Sequence, residues 1–245
     1  MKITYIYHSG FAIEGEGFSL LIDFYKDTNE TSNKEGINYV HDILLKRPGK
    51  LYVLASHFHP DHFNPEILTW KKERPDIIYI LSKDILRHRR APKEATDHWL
   101  VKGDEYKDNT ICIKAYGSTD VGISFYIEAG KKRLFHAGDL NNWHWMDEST
   151  PAEWHAAEKA FLQELNDISQ EHKEVDVAFF PVDARLGKEY MRGPKQFISK
   201  IKTGLFIPMH FTFTSAEQAN AFQPVAEKYG CRFFAIHHEG DFCNI

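Results

Sequence analysis

"ASHFHPDHFNPE", residues 55–66, places three histidines and an aspartate within six positions: His57, His59, Asp61 and His62. On a helix this spacing scatters the side chains around the circumference; at a strand end running into a tight loop it converges them on one point. The flanks agree with the second geometry. "LYVLASH" (51–57) is an apolar run ending in polar residues, the pattern of a strand buried on both faces. Asn64 followed by Pro65 is a helix-start signal, so a helix over 64–73 is expected where the cluster stops. For a chain of 245 residues with 14 histidines, the chance expectation of H-x-H-x-D-H is roughly 0.003. A solvated histidine-rich loop is therefore the poorer reading.

Working outward, several other expected strands end in the same residue types. "KRLFHAGD" ends at His136 and Asp139, "VDVAFFPVD" at Asp183 and "GLFIPMH" at His210. Buried strands that deliver such residues to one edge of a sheet point to a shared site there. "KITYIYH", "FSLLIDF", "IIYILS", "TICIKAY", "GISFYIEAG" and "CRFFAIH" read as further strands. The stretch Lys26–Gly36 reads as a polar loop. Thr150, Pro151 and Glu153 form a capping-box pattern that opens a helix whose buried stripe is Trp154, Phe161, Leu165 and Ile168. "GPKQFISKI" reads as a helix, and Thr214 with Glu217 opens another over 215–230. Meandering strands followed by alternating strands and helices, in both halves, predict an α/β (α+β) architecture. It is a four-layer αββα sandwich, two packed mixed β-sheets with helices on the outer faces, in one domain over 1–245.

The residue types set the chemistry. Imidazole nitrogens and carboxylate oxygens suit zinc and similar cations, and a carboxylate can bridge two of them. A structural zinc prefers a closed, cysteine-rich tetrahedron, and Cys112, Cys231 and Cys243 have no such spacing. Three sparse cysteines fit a reducing compartment rather than a disulfide framework. The net charge of -5 disfavours nucleic acid as a main partner. The chain shows neither the apolar core of a signal peptide nor a membrane-spanning run, so a soluble cytoplasmic protein is expected.

This strand–HxHxDH–helix unit resembles the metallo-β-lactamase superfamily, along nearly the whole chain from "HSGFAIE" and "LLIDF" to "PMHF". "FHAGD" and "IPMH" look like that superfamily's later metal motifs, and the flavour is that of the branch near L-ascorbate-6-phosphate lactonase. The resemblance implies one or two zinc ions, with manganese or iron as alternatives. His57 and His59 would serve the first ion, Asp61 and His62 the second; Asp139 would bridge and His210 complete the second. The superfamily's usual histidine before the bridging aspartate is missing from "AYGSTDVG" (115–122), where Asp120 or His136 would substitute. The implied activity is hydrolysis of an ester, lactone or phosphate in a small molecule, anionic ones included, by a metal-activated hydroxide, with Asp61 fixing or accepting the proton. Rivals are phosphodiesterase or nuclease activity, an iron oxidoreductase, and a metal-binding protein with degraded catalysis.

Other residues carry two readings each. His136 is a ligand or orients one; Asp120 is a ligand or a turn residue; His8 lines the pocket or is a partly exposed histidine. Asp183 supports a ligand or caps a loop. Trp143 and Trp145 wall the site or anchor their loop. Arg185, Lys188 and Arg192 hold an anionic substrate group or form a solvated basic loop.

Overall fold

The computed structural model describes residues 1–28, 36–96, 98–211 and 216–245. Most of the expected 26–36 loop and Thr214 of the expected capping box lie outside the described residues. The strands are β1 (Lys2–Tyr7), β2 (Gly10–Gly15), β3 (Phe18–Ile22), β4 (Lys50–Ala55), β5 (Ile78–Ser82), β6 (His98–Leu100) and β7 (Glu105–Lys107). They continue as β8 (Ile111–Tyr116), β9 (Ser124–Ala129), β10 (Lys132–His136), β11 (Glu174–Pro181), β12 (Lys202–Met209), β13 (Arg232–Phe233) and β14 (Phe242–Asn244). The helices are α1 (Lys83–Arg87), α2 (Pro151–Glu171), α3 (Arg192–Lys200), α4 (Ala216–Asn220) and α5 (Gln223–Lys228).

Two seven-stranded mixed sheets pack face to face, in the orders β14-β1-β2-β3-β4-β5-β6 and β13-β12-β11-β10-β9-β8-β7. Alternation along β4 shows why. Tyr52 and Leu54 point into the core between the sheets, whereas Leu51, Val53 and Ala55 point to a second core on the outer face. Every residue from Leu51 to Ala55 is thereby buried, which is why the run is continuously apolar. Between the sheets the Phe11 and Phe179 rings meet at 4.6 Å. The next residue, Phe180, faces outward onto Phe197 of α3, with ring centroids 4.8 Å apart.

The outer layers differ from expectation in detail. Helix α2 starts at the expected capping box, Thr150 Oγ1 accepting from the Glu153 N–H. It buries Phe161, Leu165 and Ile168, while Trp154 stays half-buried. The 64–73 segment is a 3-10 helix (Pro65–Lys72) whose cap is Asn64, the side chain accepting from the Glu66 N–H. The described part of the 215–230 segment breaks into α4 and α5, with Pro224 in the first turn of the second. "CRFFAIH" pairs over only two residues, because Phe206 of β12 is the last to find a partner there. The sheet edges β6, β7 and β14 are three-residue strands with no periodicity to betray them.

A polar strap crosses the outer face of the first sheet. His41 lies between two carboxylates, Nδ1 2.6 Å from Asp27 Oδ2 and Nε2 2.6 Å from Glu66 Oε1. Partial burial pushes its pKa down, but the two carboxylates outweigh burial and raise it above 6.5. Its contribution to stability is full below that free-imidazole value and is lost as the pH climbs through the raised one. His41→Gln is expected to flatten the dependence of the thermal midpoint on pH above 6.5. Midpoints of wild type and variant that decline in parallel over that range contradict this.

Candidate metal centre

Strand direction explains which residues meet. Strands β3 to β6 run parallel, as do β10 to β13. Two successive antiparallel pairings return β1 to the direction of β3, and β8 to that of β10. The carboxyl ends of β1, β3, β4, β8, β10, β11 and β12 therefore share one rim. In that order they deliver His8, Asp23, the His57–His62 cluster, Asp120, His136 with Asp139, Asp183 and His210.

The donors form two groups. His8, Asp61, His62 and His210 present ligand atoms within 4.8 Å of one another, and so do His57, His59, Asp120 and Asp139. Asp139 faces both: Oδ2 is 3.3 Å from His57 Nε2, while Oδ1 is 3.0 Å from His62 Nε2 and 3.3 Å from His210 Nε2. In the first group Asp61 Oδ2 lies 3.2 Å from His8 Nε2. In the second, His59 Nδ1 lies 3.0 Å from His57 Nε2 and 3.5 Å from Asp120 Oδ2.

Two glycines let the loops approach this closely. A Cβ on Gly122 would fall 2.2 Å from the Ser56 carbonyl oxygen and 2.4 Å from His57 Cβ, and one on Gly138 would fall 2.9 Å from Ser56 Cβ. Both glycines also have positive φ, which L side chains rarely adopt.

Buried acceptors hold the imidazoles in the tautomer a cation needs. His62 Nδ1–H donates to Asp23 (2.8 Å) and His210 Nδ1–H to Asp183 (2.9 Å), which leaves lone pairs on both Nε2 atoms. Ser56 Oγ donates to Asp23 (2.7 Å) and accepts from His57 Nδ1–H (3.0 Å), so His57 is set the same way. His62 Nε2 and Asp139 Oδ1, though 3.0 Å apart, are both buried without a hydrogen-bond partner, as is His8 Nε2. Buried polar atoms left unpaired are costly, and two of them facing each other, with His8 Nε2 in the same donor group as His62, fit a cation between them.

The charges are strongly coupled. Burial raises the pKa of Asp139, but His62 and His210 outweigh it and hold the carboxyl well below its usual range. Burial lowers the pKa of His210, yet Asp139 and Asp183 bring it up to about 9. His62 is raised well above the ordinary imidazole value, Asp139 and Asp23 overcoming its burial. These imidazoles lie in a field built to favour positive charge.

The other expected residues separate. His136 lies outside both groups: its Nε2 donates to the Ser9 carbonyl (2.9 Å), and its Nδ1 accepts from the Gly138 N–H (3.2 Å). Asp183 stands behind His210 rather than among the donors, and also caps the 3-10 turn Ala184–Glu189. Trp143 packs on His210 with ring centroids 5.3 Å apart, and its Nε1–H donates to the Asp139 carbonyl (2.8 Å), so it anchors the loop against the centre. Lys188 and Arg192 line a different depression, beside Glu189 and Tyr229; only Arg185 of the three basic residues reaches the centre. Sequence reasoning left His8 undecided and gave Asp23 no role, although "LLIDF" ends an unbroken apolar strand in a carboxylate.

A cavity of about 670 Å³ opens onto the first group and is lined by Tyr7, His8, Tyr25, Asp61, Arg185 and His210, among others. Among the described residues no helix is long and apolar enough to cross a membrane.

A model of the beta-lactamase superfamily domain matches residues 2–151. The chain is 24% identical to a UPF0173 metal-dependent hydrolase of Desulforamulus reducens, with 100% of both chains covered. A metallo hydrolase from the archaeon Ignicoccus hospitalis shares the fold at a TM-score of 0.65 and 17% identity, covering 99% of this chain and 97% of its own. A diiron β-hydroxylase from Streptomyces venezuelae does so at 0.67 and 12% identity, covering all of this chain and 54% of its own.

Asp23→Asn keeps the shape but loses the anion that fixes His62 and, through Ser56, His57. Metal affinity is expected to fall by about 10–100-fold, read by competition titration against a chromogenic chelator. Unchanged affinity in a folded variant contradicts the orienting role.

Proposed function

The chain belongs to the beta-lactamase superfamily, and on that premise we propose that it is a metal-dependent hydrolase whose cations occupy the two donor groups joined by Asp139. His57, His59 and Asp120 hold one ion; His8, Asp61, His62 and His210 hold the other. The nitrogen and oxygen donor set suits zinc first, with manganese or iron as alternatives. When bound, such ions supply Lewis acidity towards a substrate oxygen and make water a stronger acid.

The chain's own residues do the rest. Asp23 and Asp183 keep protons on the Nδ1 atoms of His62 and His210, so that Nε2 faces the cation. Asp61, with 39% of its side chain exposed, is the most exposed of the donors that line the cavity and accepts a hydrogen bond from the incoming water. His8, His62 and His210 hold its carboxyl well below the usual range against the effect of burial, so it stays ionised for that task. The substrate is a small ester, lactone or phosphate-type compound; the lactone member of that set rests on the resemblance to L-ascorbate-6-phosphate lactonases.

The observation that carries this reading is the pair of buried, mutually facing atoms His62 Nε2 and Asp139 Oδ1 with no hydrogen bond between them. Asp120 in the second group supplies a donor where "AYGSTDVG" lacks a histidine, so neither group is short of ligands. Elemental analysis of protein purified without chelator is expected to find about two ions per chain. His59→Ala is expected to lower metal content and abolish turnover across an ester, lactone and phosphodiester panel. Full turnover by a variant verified as metal-free overturns the proposal.

A further inference from the structure

The cavity beside the first donor group is asymmetric. One wall is aromatic: Tyr7 and Tyr25 lie with ring centroids 5.8 Å apart, both half-buried. The Lys26 ammonium sits 5.0 Å from the Tyr25 ring and 5.9 Å from that of Tyr7, adding positive charge to that wall. Arg185 lies on the cavity wall with them. Its Nε donates to both oxygens of buried Asp183 (3.0 and 2.9 Å), and Nη2 lies 3.5 Å from His210 Nδ1. The guanidinium is thus aimed by the same carboxylate that aims His210.

Held there, Arg185 still has 66% of its side chain exposed, and Nη1 has no partner among the described residues. An arginine fixed through one edge, with its other edge open to a cavity, is preorganised for an oxyanion. Arg192 is likewise held through Nε, by Glu158 at 2.7 Å, but it lines a different depression, away from the donor groups.

We propose that the substrate is an ester or lactone bearing a carboxylate or phosphate group, which seats on the open edge of Arg185 while an apolar portion lies against Tyr7 and Tyr25. This rests on the hydrolase reading above and narrows its substrate class. Because Arg185 adjoins His210, the anionic group lies close to the scissile bond, about one imidazole ring from the donor group, and not at a distant end of a long molecule.

The test is calorimetric binding to the metal-loaded full-length chain, with metal content measured for every variant. The probes are phenylphosphonate, benzoate and methylphosphonate. Arg185→Met is expected to weaken phenylphosphonate and benzoate by about tenfold or more, and Arg185→Lys to recover part of the loss, as a point charge replaces a fork. A larger loss for phenylphosphonate assigns a phosphate substituent, and a larger loss for benzoate a carboxylate. In Tyr25→Ala the ratio of phenylphosphonate to methylphosphonate affinity is expected to fall towards one. Wild type that binds none of the probes overturns the proposal, and so does a metal-replete Arg185→Met that binds them as wild type does. Binding is read without turnover, so anion capture on Arg185 in a metal-loaded chain that cleaves no member of the ester, lactone and phosphodiester panel refutes the hydrolase reading and leaves the anion seat standing.

Discussion

Asp23 is fully buried and accepts three hydrogen bonds: from the Ser56 N–H (2.7 Å), Ser56 Oγ (2.7 Å) and His62 Nδ1 (2.8 Å). A lone carboxylate in that position would be expensive. Its burial is sustained because neighbouring imidazoles favour the ionised form, His62 most, so the carboxyl titrates below its ordinary value despite desolvation. The contact ties the end of β3 to the end of β4 and sets the tautomers of His62 and His57 together. One buried anion thereby couples the pairing of two core strands to the direction of two lone pairs, and each donor group takes one of those histidines.

The backbone at the rim bears the same stamp. His8, Asp23 and His210 all have positive φ, at 57°, 49° and 63°. A non-glycine residue there costs roughly 1–2 kcal/mol, and aspartate and histidine are among those found there more often than most. Each follows a strand, and the left-handed turn redirects the chain at the rim, where its side chain joins the centre. Arg89 and Lys131 adopt the same conformation away from the site; at the rim, the Phe11–Phe179 core between the sheets holds the strands against the strain.

The legibility of the sequence followed the same physics. His57, His59, Asp61 and His62 were readable because they are local: one strand end carries all four. The αββα layering was readable because β4, β5 and β11 are continuous apolar runs and α2 carries a full capping box. Asp120 and His136 stood as alternatives because the choice depends on a close approach, of Gly122 onto Ser56 and His57, that no periodicity encodes. His8 was ambiguous because "KITYIYHSGFAIEG" alternates without a glycine–asparagine turn; the break between β1 and β2 falls at a left-handed histidine, which looks like any other strand residue. Asp23 went unassigned because its partners, Ser56 and His62, lie 33 and 39 positions away. The three-residue edge strands were invisible because pairing, not composition, makes them strands.

We hold that imidazole and carboxylate groups from five strand ends share cations across Asp139. X-ray absorption at the metal edge of the loaded protein tests it most directly. The expected spectrum has a first shell of nitrogen and oxygen alone, at about 2.0–2.2 Å for zinc, and a metal–metal distance of about 3.5–4 Å that disappears in Asp139→Ala. A sulfur-containing shell, or a metal–metal vector that survives loss of Asp139, would contradict it.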